Sequence, residues 1–363
     1  MAILARWKVA AVLLLAALIV CLFVVSHFLP ETIVAHSPVS AQRDLHDSTS
    51  LLLQIDADAV RKGQLQALND DARRVLREAR IPFMRCVVRG DGVEAQLARD
   101  GDVKAAVDKL GELSQPLPGK RFAGVDITTR RSIDVAANGD VVTLTPSDVA
   151  IADRVRQAVD QSIEIIKRRI NELGLPEPNV ESEGSDRILV QVPGVQDTAH
   201  LREVLGRTAR LEFRLVDQSM PVEQAIATQA PPNSEVLESQ KGDKFLVEKR
   251  VLVSGADVVD AQPSFNQRTN EPLVSFRFNS AGARKFAEAT QRNVGRPFAI
   301  VLDNQVASVP VIREPILGGS GQISGNFTMQ EANDLALLLR AGALPAPLTV
   351  VEELTPGDAP TSH

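Results

Sequence analysis

The sequence is poor in aromatic residues. Of its 363 residues only 4% are aromatic, with no Tyr and a single Trp, Trp7. Proteins that bind single-stranded nucleic acid combine aromatic stacking surfaces with a basic groove, whereas the net charge here is -6. The composition therefore argues against a nucleic-acid-binding protein.

Metal-binding and redox motifs are also missing. The two cysteines, Cys21 and Cys86, are far apart in the chain, and neither belongs to a C-x-x-C pair. The five histidines are scattered, and none stands at metal-ligand spacing from another His or from Cys. We predict no disulfide, no metal site and no cofactor.

No catalytic motif stands out either. Gly319 and Gly321 begin a G-x-G pattern, but the next glycine, Gly325, comes one residue too late for G-x-G-x-x-G. The chain has no P-loop and no G-x-S-x-G nucleophile elbow. The residues therefore give no support to an enzyme, and we predict that the protein is not one.

One long apolar run is present near the N-terminus. Residues 9–29 contain no Asp, Glu, Lys or Arg, and this length suffices to cross a bilayer core. Arg6 and Lys8 precede the run, and the next basic residue after it is Arg43. Because basic residues favour the cytoplasmic side, residues 1–8 are predicted to be cytoplasmic and the rest of the chain to lie across the membrane.

A cleaved signal peptide is the alternative to this signal anchor. Val39-Ser40-Ala41 has the small residues of a cleavage site, but the apolar run is longer than the usual 7–15 residues and ends well before it. We therefore favour an anchor at residues 9–29, followed by a polar tether at residues 30–48.

The remaining sequence mixes helix and strand signals. Residues 150–173 have the clearest helical spacing, and Gly174 follows at the expected end. Asn138-Gly139 predicts a hairpin, and Thr328 with Glu331 predicts a capping box. Residues 217–247 read as a surface loop. Without strict strand–helix alternation, the fold class predicted is α+β.

Two longer motifs resemble one family. Residues 168–174 read RRINELG and residues 186–195 read DRILVQVPGV. Further along, residues 318–325 read GGSGQISG and residues 339–348 read LRAGALPAPL. In this order the motifs are similar to those of the SecD preprotein-translocase subunit, over its first transmembrane helix and first periplasmic domain.

The resemblance implies a domain organisation. A ferredoxin-like periplasmic base would occupy residues 49–249 and, with its closing helix and strand, residues 326–353. An inserted α+β head would occupy residues 250–325, and residues 354–363 would be a disordered tail. The chain stops before the point where the family's second membrane span begins, so the later spans are expected to be absent.

The resemblance also implies a function and site residues. The family assists protein export, so the chain is expected to bind translocating preprotein on the periplasmic side of the bacterial inner membrane. Its expected partners are a SecF-like subunit, a SecYEG-like channel and unfolded preprotein. The candidate contacts are Phe265, Leu273, Phe276 and Phe278, whose apolar side chains suit a shallow binding surface, although simple core is the favoured interpretation for each. The loop and hinge-side motif consists of Gly318, Gly319, Gly321 and Gly325.

One alternative stays open at this point. The family has two glycines before its first strand, where this chain has Asp47 and Ser48. The chain could thus be a truncated or degenerate SecD paralogue that acts only as a periplasmic polypeptide-binding module.

Overall fold

The computed structural model describes residues 48–98, 101–116, 121–122, 125–126, 131–195, 197–239 and 241–354. The anchor predicted at residues 9–29 lies outside these ranges, as do the predicted tether except Ser48 and the predicted tail except Leu354. Of the helices within the described ranges, none combines the length and the apolar character needed to cross a membrane.

Strands and helices are mixed along the chain, as the α+β prediction required. The strands are β1 Ser48–Ile55, β2 Phe83–Arg89, β3 Gly92–Leu97, β4 Arg121–Phe122, β5 Val125–Asp126, β6 Ile133–Asn138, β7 Val141–Pro146, β8 Asn179–Glu183, β9 Arg187–Pro193, β10 Leu211–Leu215, β11 Ser234–Glu238, β12 Lys244–Glu248, β13 Val253–Ser254, β14 Val258–Phe265, β15 Pro272–Phe278, β16 Phe298–Leu302, β17 Gln305–Ser308, β18 Ser320–Ser324 and β19 Leu348–Leu354. The helices are α1 Ala57–Glu78, α2 Val103–Gly111, α3 Asp148–Glu172, α4 Thr198–Gly206, α5 Val222–Ala227, α6 Ser280–Arg292 and α7 Met329–Ala341.

The first layer of the fold is an antiparallel sheet in the order β19-β1-β9-β8. Its strands are separated in sequence by helices, so the chain runs strand, helix, two strands, helix, strand. The predicted helix at residues 150–173 is confirmed as α3, and Gly174 follows it with φ 70°. Helices α3 and α4 pack on this sheet around a core of Leu, Ile, Val and Ala, which we call the aliphatic core: Leu51, Leu53, Ile55, Val60, Val155, Ala158, Val159, Ile166, Ile170, Val180, Ile188, Val190, Val192, Leu201, Leu205, Leu344, Ala346 and Leu348.

A second sheet, in the order β2-β3-β7-β6, is inserted between β1 and α3. The predicted hairpin at Asn138-Gly139 joins β6 and β7, and Gly139 has φ 62°. Helix α1 packs against both sheets. It contributes Val60 to the aliphatic core, and Leu68, Ala72 and Leu76 to the core of this second sheet.

Two further sheets enclose the third core. Their orders are β13-β10-β16-β17 and β14-β15-β18, and helices α6 and α7 contribute to the same interior. We call this interior the phenylalanine core; its buried members are Leu211, Phe213, Leu215, Val253, Ala261, Val274, Phe276, Phe278, Phe286, Phe298, Ile300, Leu302, Ile312, Ile323, Phe327, Ala332, Leu335, Ala336 and Leu339.

Two segments read as loops are ordered instead. Residues 217–247 contain the short helix α5 and the hairpin β11–β12, whose Leu246 and Val247 are buried. Charged residues within and beside these two strands obscure the alternation of apolar and polar residues that predicts a strand. Residues 320–324 form β18, which pairs with β15. The glycines and serines of this segment do not predict a strand, so the pairing with β15 is what stabilises it.

The chain passes twice between the aliphatic core and the phenylalanine core. The first crossing is residues 207–210, between Leu205 and Leu211, and the second is residues 341–344, between Leu339 and Leu344. We call these two crossings the neck. The boundaries predicted for the base and the head stay predictions.

Candidate functional site

Three of the four predicted preprotein contacts lie in the interior. Leu273, Phe276 and Phe278 are on β15 and are 2%, 4% and 5% exposed. Phe265, at the end of β14, is 48% exposed and lies near the turn to β15. Of these four side chains only Phe265 presents a large apolar surface to solvent, and the contact role of all four stays a prediction.

The outer face of the same sheet has a polar concavity. It has a volume of about 440 Å³, and Phe276, whose ring packs in the core, is among its lining residues. Side chains alternate between the two faces of a strand, so the residues between the core positions point outward. The other lining residues are Asp260, Gln262, Ser275, Arg277, Ser320, Gly321 and Gln322.

The four predicted glycines have different surroundings. Gly319 has φ 64°, and a Cβ there would lie 2.5 Å from the Cβ of Ala283. At Gly321 a Cβ would lie 2.5 Å from the Phe276 ring, and at Gly325 it would lie 2.8 Å from the Phe327 ring. Gly318 has no heavy atom within 4 Å of its Cβ position. Close packing therefore requires glycine at three of these positions.

β18 is an edge strand with an uncharged surface. It ends the sheet order β14-β15-β18, and its exposed side chains are Ser320, Gln322 and Ser324. The opposite edge, β14, carries Asp260 and Pro263, which are residues that discourage strand addition. The β18 edge and the concavity beside it form the candidate site.

The site is connected to the aliphatic core through Arg340 on α7. Its Nη1 donates to the carbonyl oxygen of Ala261 on β14 at 2.5 Å, and its Nη2 donates to the Glu172 carboxylate on α3 at 2.8 Å. A second pair, His200 Nε2 and Asp334 Oδ1, lies 3.6 Å apart between α4 and α7. Partial burial raises the pKa of the Asp334 carboxyl, and His200 opposes that effect.

Arg169 is the largest fully buried side chain near the neck, with 0% exposure. Removal from water lowers the pKa of its guanidinium to about 10, and the Asp303 carboxylate acts in the opposite direction. The group therefore keeps its charge at neutral pH. In the described part of the chain, no three His, Cys, Asp or Glu side chains are grouped as they would be around a metal ion.

Sequence reasoning missed the polar residues of the concavity and the role of Arg169. The concavity depends on which strands pair, which short polar strands do not reveal. Arg169 carried a signal, because it stands three residues after Ile166 and next to Ile170 on the buried side of α3.

Comparison with known proteins places these features in one family. The family model of the SecDF P1 domain, N-terminal part, matches residues 159–218, and that of the SecDF P1 head subdomain matches residues 234–346. The protein translocase subunit SecD of Rickettsia bellii is 36% identical over 322 residues, which are 89% of this chain and 59% of that protein. SecD of Acetobacter pasteurianus is 39% identical over 319 residues, or 86% of this chain and 58% of that protein.

A solved structure, described as a membrane component SecDF that enhances protein export, is 35% identical with a TM-score of 0.45. The match covers 54% of this chain and 92% of that one.

The chain belongs to the SecD family of protein translocase subunits. It spans about three fifths of the length of the curated relatives it matches.

Proposed function

We propose that the protein is a membrane-anchored periplasmic subunit of the Sec protein-export machinery. It binds translocating preprotein and assists its release from the channel, and it is not an enzyme. Membership of the SecD family, with matches to both P1 subdomains, carries this proposal.

The proposed topology follows from the charge asymmetry around residues 9–29. Arg6 and Lys8 hold the N-terminus in the cytoplasm, and the bulk of the chain, a ferredoxin-like base with an inserted head, faces the periplasm. In the bacterial inner membrane the anchor contacts a SecF-like subunit and a SecYEG-like channel.

The β18 edge supports a specific mode of binding. An extended polypeptide can add a strand to an open sheet edge through backbone hydrogen bonds, which do not depend on its sequence. Ser320, Gln322 and Ser324 place small or uncharged side chains along this edge, and the concavity beside it can accept alternate side chains of the added strand. Sequence-tolerant binding is what an export subunit with many clients requires.

Site-specific photocrosslinking to a stalled preprotein tests the proposed binding mode. A photoreactive residue at Gln322 should crosslink to the translocating chain. The matched control is Glu181, which is also exposed on an edge strand, β8, but stands beside the charged Glu183. Equal crosslinking from both positions, or none from Gln322, would rule out binding at the β18 edge.

Affinity purification in mild detergent tests the assembly. The tagged full chain should recover SecF-like and channel subunits from its own host. If it recovers neither, under conditions where a full-length SecD does, the proposed subunit role is wrong.

A further inference from the structure

The guanidinium of Arg169 lies where both crossings of the neck meet. Its nitrogens are within hydrogen-bonding distance of backbone carbonyls in each crossing and in the last turn of α4. The acceptors are Val204 at 2.8 Å, Leu205 at 3.2 Å, Arg207 at 2.6 Å, Thr208 at 3.4 Å and Gly342 at 3.2 Å.

These carbonyls belong to two helix ends. α4 ends at Gly206 and α7 ends at Ala341, and the last carbonyls of a helix lack partners within it. The C-terminal end of each helix also carries about half a negative charge. One buried cation therefore contacts the last-turn carbonyls of Val204 and Leu205 in α4 and the carbonyl of Gly342, the C-cap of α7, from opposite sides of the neck.

The two crossings are also joined to each other and to the phenylalanine core. The Leu344 N–H donates to the Thr208 carbonyl at 2.9 Å. Ala209 has φ 58°, a left-handed conformation that is unfavourable for a residue with a Cβ. The Asp303 carboxylate holds this conformation, because it accepts the N–H groups of Ala209 at 3.0 Å and Arg210 at 2.7 Å.

An apolar cluster surrounds these polar contacts. Val204, Ala209, Leu337 and Leu338 are buried together, and Leu173 packs against them. This cluster keeps water away from the hydrogen bonds, which raises the cost of breaking them without replacement.

We propose that Arg169 is the positioning residue that sets the angle between the aliphatic core and the phenylalanine core, by tying both crossings of the neck into a single pivot. The proposal depends only on this geometry and stands whether or not the export function holds. A salt bridge alone would not act in this way, because it would tie one side chain to one other. The Nη1 and Nη2 groups of the guanidinium share their four N–H donors among carbonyls of both crossings and of the last turn of α4.

Distance measurements by pulsed electron paramagnetic resonance test the proposal on the full chain in lipid nanodiscs. With Cys21 and Cys86 replaced by Ser, one spin-label pair at Asp160 and Arg268 reports between the two cores. A second pair at Arg268 and Gln291 reports within the phenylalanine core. All three labelled positions are exposed.

Arg169→Lys keeps the charge but cannot reach the same set of carbonyls, since an ammonium has three donors and no planar fork. The between-core distance distribution should become broader or shift, while the within-core distribution stays as in the parent. The matched control is Arg168→Lys, because Arg168 is the neighbouring residue on α3 and is exposed. It should leave both distributions unchanged.

Two results would overturn the proposal. Unchanged between-core distances in Arg169→Lys would show that the side chain does not set the angle. Broadening of both distributions would show that it serves general stability instead. If Arg169→Lys does not fold, Asp303→Asn decides the question, because it removes the carboxylate that holds the first crossing and that favours the charged form of Arg169. Asp303→Asn should broaden the between-core distance distribution alone. Unchanged between-core distances, or broadening of both distributions, would contradict the proposal.

Discussion

The aliphatic core and the phenylalanine core solve the same packing problem with different side chains. The aliphatic core is made of Leu, Ile, Val and Ala, whereas the phenylalanine core gathers six of the chain's 12 phenylalanines. In the latter, the Phe213 ring lies 5.3–5.8 Å from four other rings. The overall scarcity of aromatics therefore hides a local concentration.

The difference teaches where a single residue matters most. Branched aliphatic side chains on a sheet share their contacts among many neighbours. A ring at the centre of an aromatic cluster makes contacts that no smaller side chain can replace. If the two cores unfold independently, truncating a side chain in one core should leave the backbone amides of the other core protected from hydrogen exchange.

Phe213→Ala should have the largest effect. Truncating a fully buried Phe lowers the free energy of unfolding by about 3–5 kcal/mol. Hydrogen exchange followed by mass spectrometry should show faster exchange in β10, β15 and β16, with β1 and β9 unchanged. The control is Phe265→Ala, since Phe265 is 48% exposed, and it should change little. Equal loss of protection in both cores would show that they unfold as one unit.

Leu53→Ala should break the aliphatic core in the reciprocal way. Leu53 on β1 is 0% exposed, and its truncation should lower the free energy of unfolding by about 2–5 kcal/mol. Exchange should now increase in β1 and β9 rather than in β10 and β15. Leu354→Ala, at an exposed position paired with β1, is the control. Faster hydrogen exchange confined to the phenylalanine core would contradict the idea that the two cores unfold independently.

Gly321→Ala should have a smaller effect on the phenylalanine core. The added methyl would lie 2.5 Å from the Phe276 ring, and such overpacking lowers the free energy of unfolding by about 1–3 kcal/mol. Gly318→Ala is the matched control, since its Cβ position is open. Thermal unfolding followed by circular dichroism should separate the two variants; identical midpoints would show that the Phe276 ring can move aside.

Thr328→Ala should have the smallest effect, about 1 kcal/mol, because it removes the N-cap of α7. The same cap adds a pH dependence. The N–H and hydroxyl of Thr328 lower the pKa of Glu331 below its ordinary value of 4.5. Its ionised form is therefore favoured in the folded state, and this stabilisation is present above pH 4.5 and lost as the pH falls through the lowered pKa.

Glu331→Gln is the comparison for this pH effect. The difference in unfolding free energy between the wild type and Glu331→Gln, measured by denaturant titration, should shrink as the pH falls below 4.5. A difference that is constant with pH would mean that the carboxylate does not stabilise the cap.

The comparison also shows how far sequence reasoning reached. The spacing in α3 predicted one apolar face, of which Val155, Val159, Ile166 and Ile170 are buried and Ile163 and Leu173 are half-buried. The predicted capping box begins α7, whose Ala332, Leu335, Ala336 and Leu339 recur at helical spacing and lie in the phenylalanine core. Helical periodicity and capping act over a few residues, so they can be read from the sequence directly.

By itself the sequence determined the α+β class, the long helix α3, the capping box and the SecD resemblance, because each depends on neighbouring residues. Only the tertiary structure decided that Leu337 and Leu338, on the other side of α7, are buried too, at the neck. The spacing in α3 already puts Arg169 on the buried side and Arg168 outside it, but only the tertiary structure placed Arg169 against carbonyls 35 to 173 positions away in the chain. Such contacts depend on how distant segments pack, and no local pattern encodes them.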